Sequence, residues 1–164
     1  MNKENFQGSA AESKQETPPE AEAAQILADL KQKEELSDQA RTEANNNPGY
    51  SDRDKMSREE QYNQAVANKR EAEIIADPEV QSIAKECANY KPEEVENELS
   101  ATNGRMDEIL KTERESGETR TEAQQQRLND LRKRKNGLIM VKNGGLGSTI
   151  ESLKKKIAQS EMTQ

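Results

Sequence analysis

Histidine and tryptophan are absent from this sequence of 164 residues, and cysteine occurs once, as Cys87. Without an imidazole there is no histidine general base, no Ser-His-Asp triad and no histidine-ligated zinc. A single cysteine forms neither an intramolecular disulfide nor a thiolate metal cluster. We therefore expect a non-enzymatic protein without cofactor or metal, in a reducing compartment such as the cytoplasm.

Large apolar side chains are scarce as well. Leu, Ile, Val and Phe account for 23 of the 164 residues, aromatic residues for 2% and charged residues for 35%. A chain of this composition has little apolar surface to bury against its conformational entropy. The sequence predicts an all-α protein of elongated helices with narrow apolar faces and partial coiled-coil character.

No apolar run approaches the roughly 18 residues that a membrane-spanning helix needs. The first residues, Met-Asn-Lys-Glu-Asn-Phe-Gln, lack the apolar core of a signal peptide. These two features predict no membrane span and no cleaved leader.

Charge is distributed unevenly along the chain. Residues 1–100 contain 23 acidic and 12 basic side chains, whereas residues 101–164 contain 9 acidic and 13 basic ones. The front therefore carries −11 and the carboxyl-terminal part +4. Such asymmetry bears on partners and encounter rates, and it predicts different roles for the two ends.

The first 55 residues divide into two segments, of which the second ends in a Pro-Gly stretch and linker. Residues 1–17 offer almost nothing to bury and are predicted to form a disordered arm. Residues 18–55 are predicted to hold an acidic, marginally stable helix over residues 20–44, with Thr17 as its N-cap. The Asn-Asn-Asn-Pro-Gly stretch at residues 45–49 ends this helix.

A second helical segment is predicted over residues 56–116. Its first helix begins at the capping box that opens at Ser57. Further breaks are expected at Asp77-Pro78, where Asp77 is the N-cap, and at Lys91-Pro92.

The last helix of this segment carries a short heptad seam, spaced by four, three, four and three residues. The seam predicts self-association, because the chain offers no intrachain helix long enough to cover it fully. The alternative is a local helical hairpin that packs on its neighbours. The seam consists of Val95, Leu99, Thr102, Met106 and Ile109.

Residues 117–164 are predicted to form a basic helix-turn-helix-like hairpin. Its first helix begins at the capping box opened by Thr119 and ends at Asn136-Gly137. Residues 138–141 are predicted to be a strand or half-turn, the glycines of residues 144–147 a tight turn, and Ser148 the start of the last helix.

Two basic clusters in this hairpin are the candidate partner-binding residues. We expect them to form one electropositive face that attracts an acidic protein surface. Alternatives are solvated helix ends favoured by the helix dipole, or binding of nucleic acid or anionic lipid. The clusters are Arg132, Lys133, Arg134 and Lys135, and Lys154, Lys155 and Lys156.

Two other features receive structural interpretations. Cys87 shares an apolar helix face with Val80 and Ile83, which favours a small buried hydrophobe over a reactive thiolate. The Gly144–Gly147 stretch lacks the Gly-Lys-Ser/Thr ending and the preceding strand of a phosphate-binding loop, which favours a turn.

The acidic front, the narrow helices of residues 18–111 and the paired helices around residues 136–148 resemble the organisation of bacteriophage scaffolding proteins. The resemblance implies a small helical homo-oligomer whose basic carboxyl-terminal hairpin grips a coat-like protein. The sequence thus predicts an assembly or adaptor protein, possible alternatives being a secreted bacterial effector-type binding module and a small nucleic-acid-associated protein.

Overall fold

A computed structural model describes residues 17–162 of the chain, which contain six helices and no strand. The predicted all-α class is confirmed. The predicted disordered arm lies outside the described residues, apart from Thr17. The helices are α1 (Pro19–Asn46), α2 (Asp52–Ala76), α3 (Pro78–Glu86), α4 (Pro92–Ser116), α5 (Glu122–Lys142) and α6 (Leu146–Met162).

Helices α1 and α2 pack along each other as a hairpin. The N-cap of α1 is Pro18, which has no capping side chain, so the predicted cap at Thr17 is wrong. Helix α2 begins at Asp52, five residues before the predicted start at Ser57. The reason is an earlier cap, because the Ser51 hydroxyl accepts a hydrogen bond from the Asp54 backbone N–H.

The junction from α2 to α3 follows the prediction. The Asp77 carboxylate accepts a hydrogen bond of 2.9 Å from the Glu79 N–H, and Pro78 is the first residue of α3. The buried Gln81 side chain donates a 2.8 Å hydrogen bond to the Ile75 carbonyl oxygen at the end of α2. This bond satisfies one of the carbonyls that a helix end leaves without an intrahelical partner.

Helices α4 and α5 form a second hairpin. Helix α4 ends at Gly117, whose φ of 66° lies in the left-handed region that favours glycine. The capping box of α5 is opened by Thr121 and closed by Gln124, instead of the predicted Thr119 and Glu122.

Helix α5 continues through Asn136-Gly137 to Lys142, so the predicted stop at Gly137 and the predicted strand or half-turn at residues 138–141 are wrong. Gly137 serves close packing of α3 against α5. A Cβ atom on Gly137 would lie 2.6 Å from Ile83 Cγ2 and 3.2 Å from the Val80 carbonyl oxygen. The absence of a side chain therefore lets the two helices approach at this point.

A tight turn at residues 143–145 joins α5 to α6. Gly144 and Gly145 have φ values of 96° and 99°, and α6 begins at Leu146, two residues before the predicted start at Ser148. The Gly145 N–H donates a 2.9 Å hydrogen bond to the Met140 carbonyl oxygen, which closes the end of α5. The glycine turn itself agrees with the sequence prediction.

Helix α6 packs mainly on α2 and α1, and contacts α5 less. Its Ile150 and Leu153 enter a central cluster to which five helices contribute side chains. Residues 117–164 therefore do not form a separate hairpin, since α6 leaves α5 to complete the core of the first half. The central cluster consists of Ala23, Leu30, Ala72, Ile75, Val80, Ala84, Met140, Ile150 and Leu153.

The contact between Gly137 and α3 predicts opposite effects for two glycine-to-alanine changes. Gly137→Ala should lower the free energy of unfolding by about 1–3 kcal/mol, because the new methyl group overlaps Ile83. Gly104→Ala should raise it by about 0.5–1 kcal/mol, because Gly104 lies inside α4 with no atom within 4 Å of its would-be Cβ. Urea unfolding followed by circular dichroism measures both; equal shifts would contradict the close approach.

Candidate partner-binding surface

The basic carboxyl-terminal residues pair with acidic residues of the chain's own front half. Lys133 Nζ lies 2.8 Å from Glu79 Oε2, and Arg134 Nη2 lies 2.9 Å from Glu98 Oε2. On α6, Lys154 contacts Glu22 of α1. Two further pairs are Lys142–Glu96 and Lys156–Glu71. Much of the predicted attraction to an acidic surface is therefore satisfied inside one molecule.

These ion pairs shift the basic side chains further toward the charged form. The hydrogen bond to Glu79 raises the pKa of Lys133, and that to Glu98 raises the pKa of Arg134. The hydrogen bond to Glu22 likewise raises the pKa of Lys154. Because the pairs are exposed to solvent, they are screened and each contributes little to stability.

The prediction that the two basic clusters form one electropositive face is wrong for this fold. The cluster of residues 132–135 pairs with α3 and α4, whereas the cluster of residues 154–156 pairs with α1 and α2. The clusters separate because α6 turns away from α5 to pack on the first hairpin. Within residues 17–162, three of the seven predicted residues form no ion pair: Arg132, Lys135 and Lys155.

Two of these cations lie on the same side of α5 as an exposed apolar side chain. Arg132, Lys135 and Ile139 are spaced by three and four residues, so they share one side of the helix. Ile139 is 36% exposed, whereas its neighbours Leu138 and Met140 are buried. We call Arg132, Lys135 and Ile139 the outer face of α5.

Ile139 is the residue of this face that the sequence analysis missed. Its place in the apolar run of residues 138–141 favoured a core position. In helical geometry, however, consecutive residues point about 100° apart, so the run cannot all face one core. The spacing from Arg132 and Lys135 was the available signal, and it depends on α5 continuing past Gly137.

Besides Ile74, which is 41% exposed on α2, the first hairpin has two strongly exposed apolar residues, and none of the three shares one side of its helix with two cations that lack an ion pair in the described chain. Met56 is 72% exposed in a shallow groove beside Arg53, Glu60 and Asn63, and Leu36 is exposed on α1. Single exposed apolar residues among polar neighbours are ordinary on protein surfaces. None of the three carries an argument for a binding site.

Helix α5 covers much of the predicted self-association seam. Val95 and Leu99 pack with Cys87 and Leu138, and Thr102 is fully buried. The Thr102 hydroxyl donates a 2.7 Å hydrogen bond to the Glu98 carbonyl oxygen. The remaining two, Met106 and Ile109, are half-buried. For the first three residues the structure therefore has the local-hairpin arrangement.

Cys87 lies in this second cluster and is buried, as the sequence predicts. Its lack of exposure is typical of a packing cysteine and not of a reactive thiol.

The described helices contain neither a metal-binding cluster nor a membrane-spanning segment. Between residues 17 and 162, no group of three or more Cys, Asp or Glu side chains is arranged to hold a metal ion. None of the six helices in that range has the length and apolar character to traverse a bilayer. No protein-family model, curated protein or solved structure matches the chain.

The ion pair between α1 and α3 predicts a measurable carboxyl titration. Lys85 Nζ lies 2.8 Å from Glu20 Oε1, and this hydrogen bond lowers the pKa of Glu20. Lys85→Met should therefore raise the pKa of Glu20 toward its ordinary value, as measured by NMR of the side-chain carboxyl group. A lowered carboxylate pKa contributes stability above the ordinary pKa, and this contribution is lost as pH falls through the folded-state value.

Lys31→Met is the matched control, because Lys31 is an exposed lysine of α1 without an ion pair among the described residues. It should leave the pKa of Glu20 unchanged. An equal shift in both variants would mean that net charge, and not the contact with Lys85, lowers the pKa.

Proposed function

We propose that this chain is a non-enzymatic assembly or adaptor protein that binds an acidic protein surface through the outer face of α5. In its most specific form, the proposal is that the protein acts as a scaffold during the assembly of a capsid or a similar particle. The observation that supports the proposal is the combination of exposed Ile139 with Arg132 and Lys135, two cations without an ion pair among residues 17–162.

The mixed character of this face favours a protein partner over nucleic acid. An apolar side chain that follows two cations along one side of a helix suits a partner helix that carries carboxylates beside an apolar residue. Nucleic-acid binders combine basic patches with aromatic side chains that stack on bases. Among residues 17–162 the aromatic side chains are Tyr50, Tyr62 and Tyr90, and none of them belongs to α5. Nucleic acid is therefore the rival ligand and not the proposed one.

The electrostatic part of this binding acts over a short range. At physiological salt, attraction between exposed charges is screened beyond about 8 Å. Opposite charges on two surfaces mainly accelerate encounter, and their effect falls with added salt. Binding to the outer face of α5 should therefore weaken as salt is added, with the association rate falling more than the dissociation rate rises.

A labelled helical peptide with a leucine stripe flanked by glutamates is the probe. Arg132→Glu should weaken binding by about two- to tenfold, because it replaces one exposed attraction with a repulsion. Fluorescence anisotropy at several salt concentrations measures the affinity, and circular dichroism checks that the helices remain intact.

Arg127→Glu is the matched control, since it makes the same charge change on α5. Arg127 lies five residues from Arg132, so it points about 140° away around the helix axis. It should leave the affinity within twofold of the unmodified protein. An equal loss in both variants would show nonspecific attraction, and a loss of binding to duplex DNA but not to the peptide would favour the nucleic-acid alternative.

A further inference from the structure

Helix α6 is packed against helices that lie far from it in sequence. Its buried residues Ile150 and Leu153 fill a trough between α1 and α2, where Leu30 and Ile75 are buried. We call this surface, together with the acidic residues at its edges, the α1–α2 trough. Helix α6 makes most of its contacts with α2, and fewer with α1 and with α5, the helix to which it is covalently joined.

Charge complementarity marks the edges of the same contact. Lys154 pairs with Glu22 of α1, and Lys156 Nζ lies 3.0 Å from Glu71 Oε1 of α2. A third pair has the opposite direction, with Lys33 of α1 at 3.2 Å from Glu161 of α6. These three pairs join α6 to α1 and α2, and none of them involves α5.

The connection between α5 and α6 is short and contains two glycines in the left-handed region. Only residues 143–145 separate the two helices, and both glycines there have positive φ. If these residues took helical dihedral angles, α5 and α6 would join into one long helix, and α6 would leave its own trough. Glycine adopts positive φ without strain, so this connection has two accessible conformations, and a connection that can change conformation is what the exchange of a terminal element between copies requires.

An open cleft also lies along this contact. It has a volume of about 370 Å³ between α1 and α6 and is lined by Ile26, Leu30 and Ile157. Packing on this side of α6 is therefore less complete than in a closed core.

We propose that α6 is exchanged between two copies of this chain, each α6 filling the α1–α2 trough of the other copy. Helix α6 therefore fills the trough in both states. In the monomer it comes from the same chain, and in the dimer it comes from the other copy. Every apolar contact and ion pair of α6 with α1 and α2 is formed again between copies, so exchange has little cost in contacts. Association is favoured by high chain concentration. This inference goes beyond the proposed function and does not rest on it.

Reciprocal charge reversal tests the exchange directly. One variant carries Lys154→Glu and Lys156→Glu, and the other carries Glu22→Lys and Glu71→Lys. When either variant folds by itself, like charges face each other at the edges of its own trough. In an exchanged heterodimer both troughs regain opposite charges. Refolded together from urea, the two variants should form a one-to-one species of twice the monomer mass, seen by native mass spectrometry and sedimentation.

The matched control makes the same net charge changes away from the trough. Lys31→Glu with Lys155→Glu, mixed with Glu35→Lys and Glu60→Lys, alters exposed residues that form no ion pair in the described chain. This mixture should remain monomeric. A heterodimer in the control as well would show general charge attraction and overturn the exchange, as would monomers alone in the trough pair.

A second variant decides the question if the charge-reversed chains do not fold. In Gly144→Ala with Gly145→Ala, both alanines disfavour positive φ, and a Cβ at residue 144 would lie 2.9 Å from Ser148 Oγ. Helical angles relieve both conflicts, so this variant should be a helical dimer, whereas Gly104→Ala should stay monomeric. A monomeric double-alanine variant, whether its helicity is retained or lost, would overturn the proposal. Neither result bears on peptide binding by α5.

Discussion

The central cluster of apolar side chains is the contact on which the remaining packing depends. It takes side chains from α1, α2, α3, α5 and α6, and no helix contributes more than two of its buried members. With 23 large apolar residues in 164, no single pair of helices has enough apolar surface for a core of its own. Five helices therefore share one cluster, while α4 packs with α5 in a second, smaller one around Val95, Leu99 and Leu138. Small residues make this packing close, since Ala72, Ala84 and Gly137 occupy positions where larger side chains would hold the helices apart.

The ion pairs of this protein act differently from its apolar cluster. The acidic front and the basic carboxyl-terminal part contact one another through exposed ion pairs such as Arg134–Glu98 and Lys156–Glu71. Each such pair is worth little in water, because its charges remain hydrated and are screened by salt. Their number and placement nevertheless match one arrangement of the helices, in which α5 lies against α3 and α4 and α6 lies against α1 and α2. The opposite charges of the two halves thus favour the correct pairing of helices more than they add to total stability.

The two proposals assign different roles to neighbouring helices. Helix α5 is held on two sides, by α4, where Leu138 packs with Val95 and Leu99, and by α3 at Gly137, which leaves its outer face for a partner. Helix α6 is held by distant parts of the chain and joined to α5 by three residues, which makes it the element that a second copy can supply. A protein with an exposed docking face and an exchangeable terminal helix has the two properties that an assembly protein needs, one for its partner and one for itself.

The sequence by itself determined the all-α class, the breaks at Asp77-Pro78, Lys91-Pro92 and Gly117, and the burial of Cys87, because these follow from local backbone preferences and helical spacing. It did not determine the length of α5. Asn-Gly commonly ends a helix, but α5 continues through Gly137, where α3 packs too closely for any side chain to fit. The sequence also predicted seven available cations, of which the structure leaves Arg132, Lys135 and Lys155 without an ion pair in the described chain. Which helix meets which acid depends on contacts between residues far apart in the chain, and those exist only once the tertiary structure has formed.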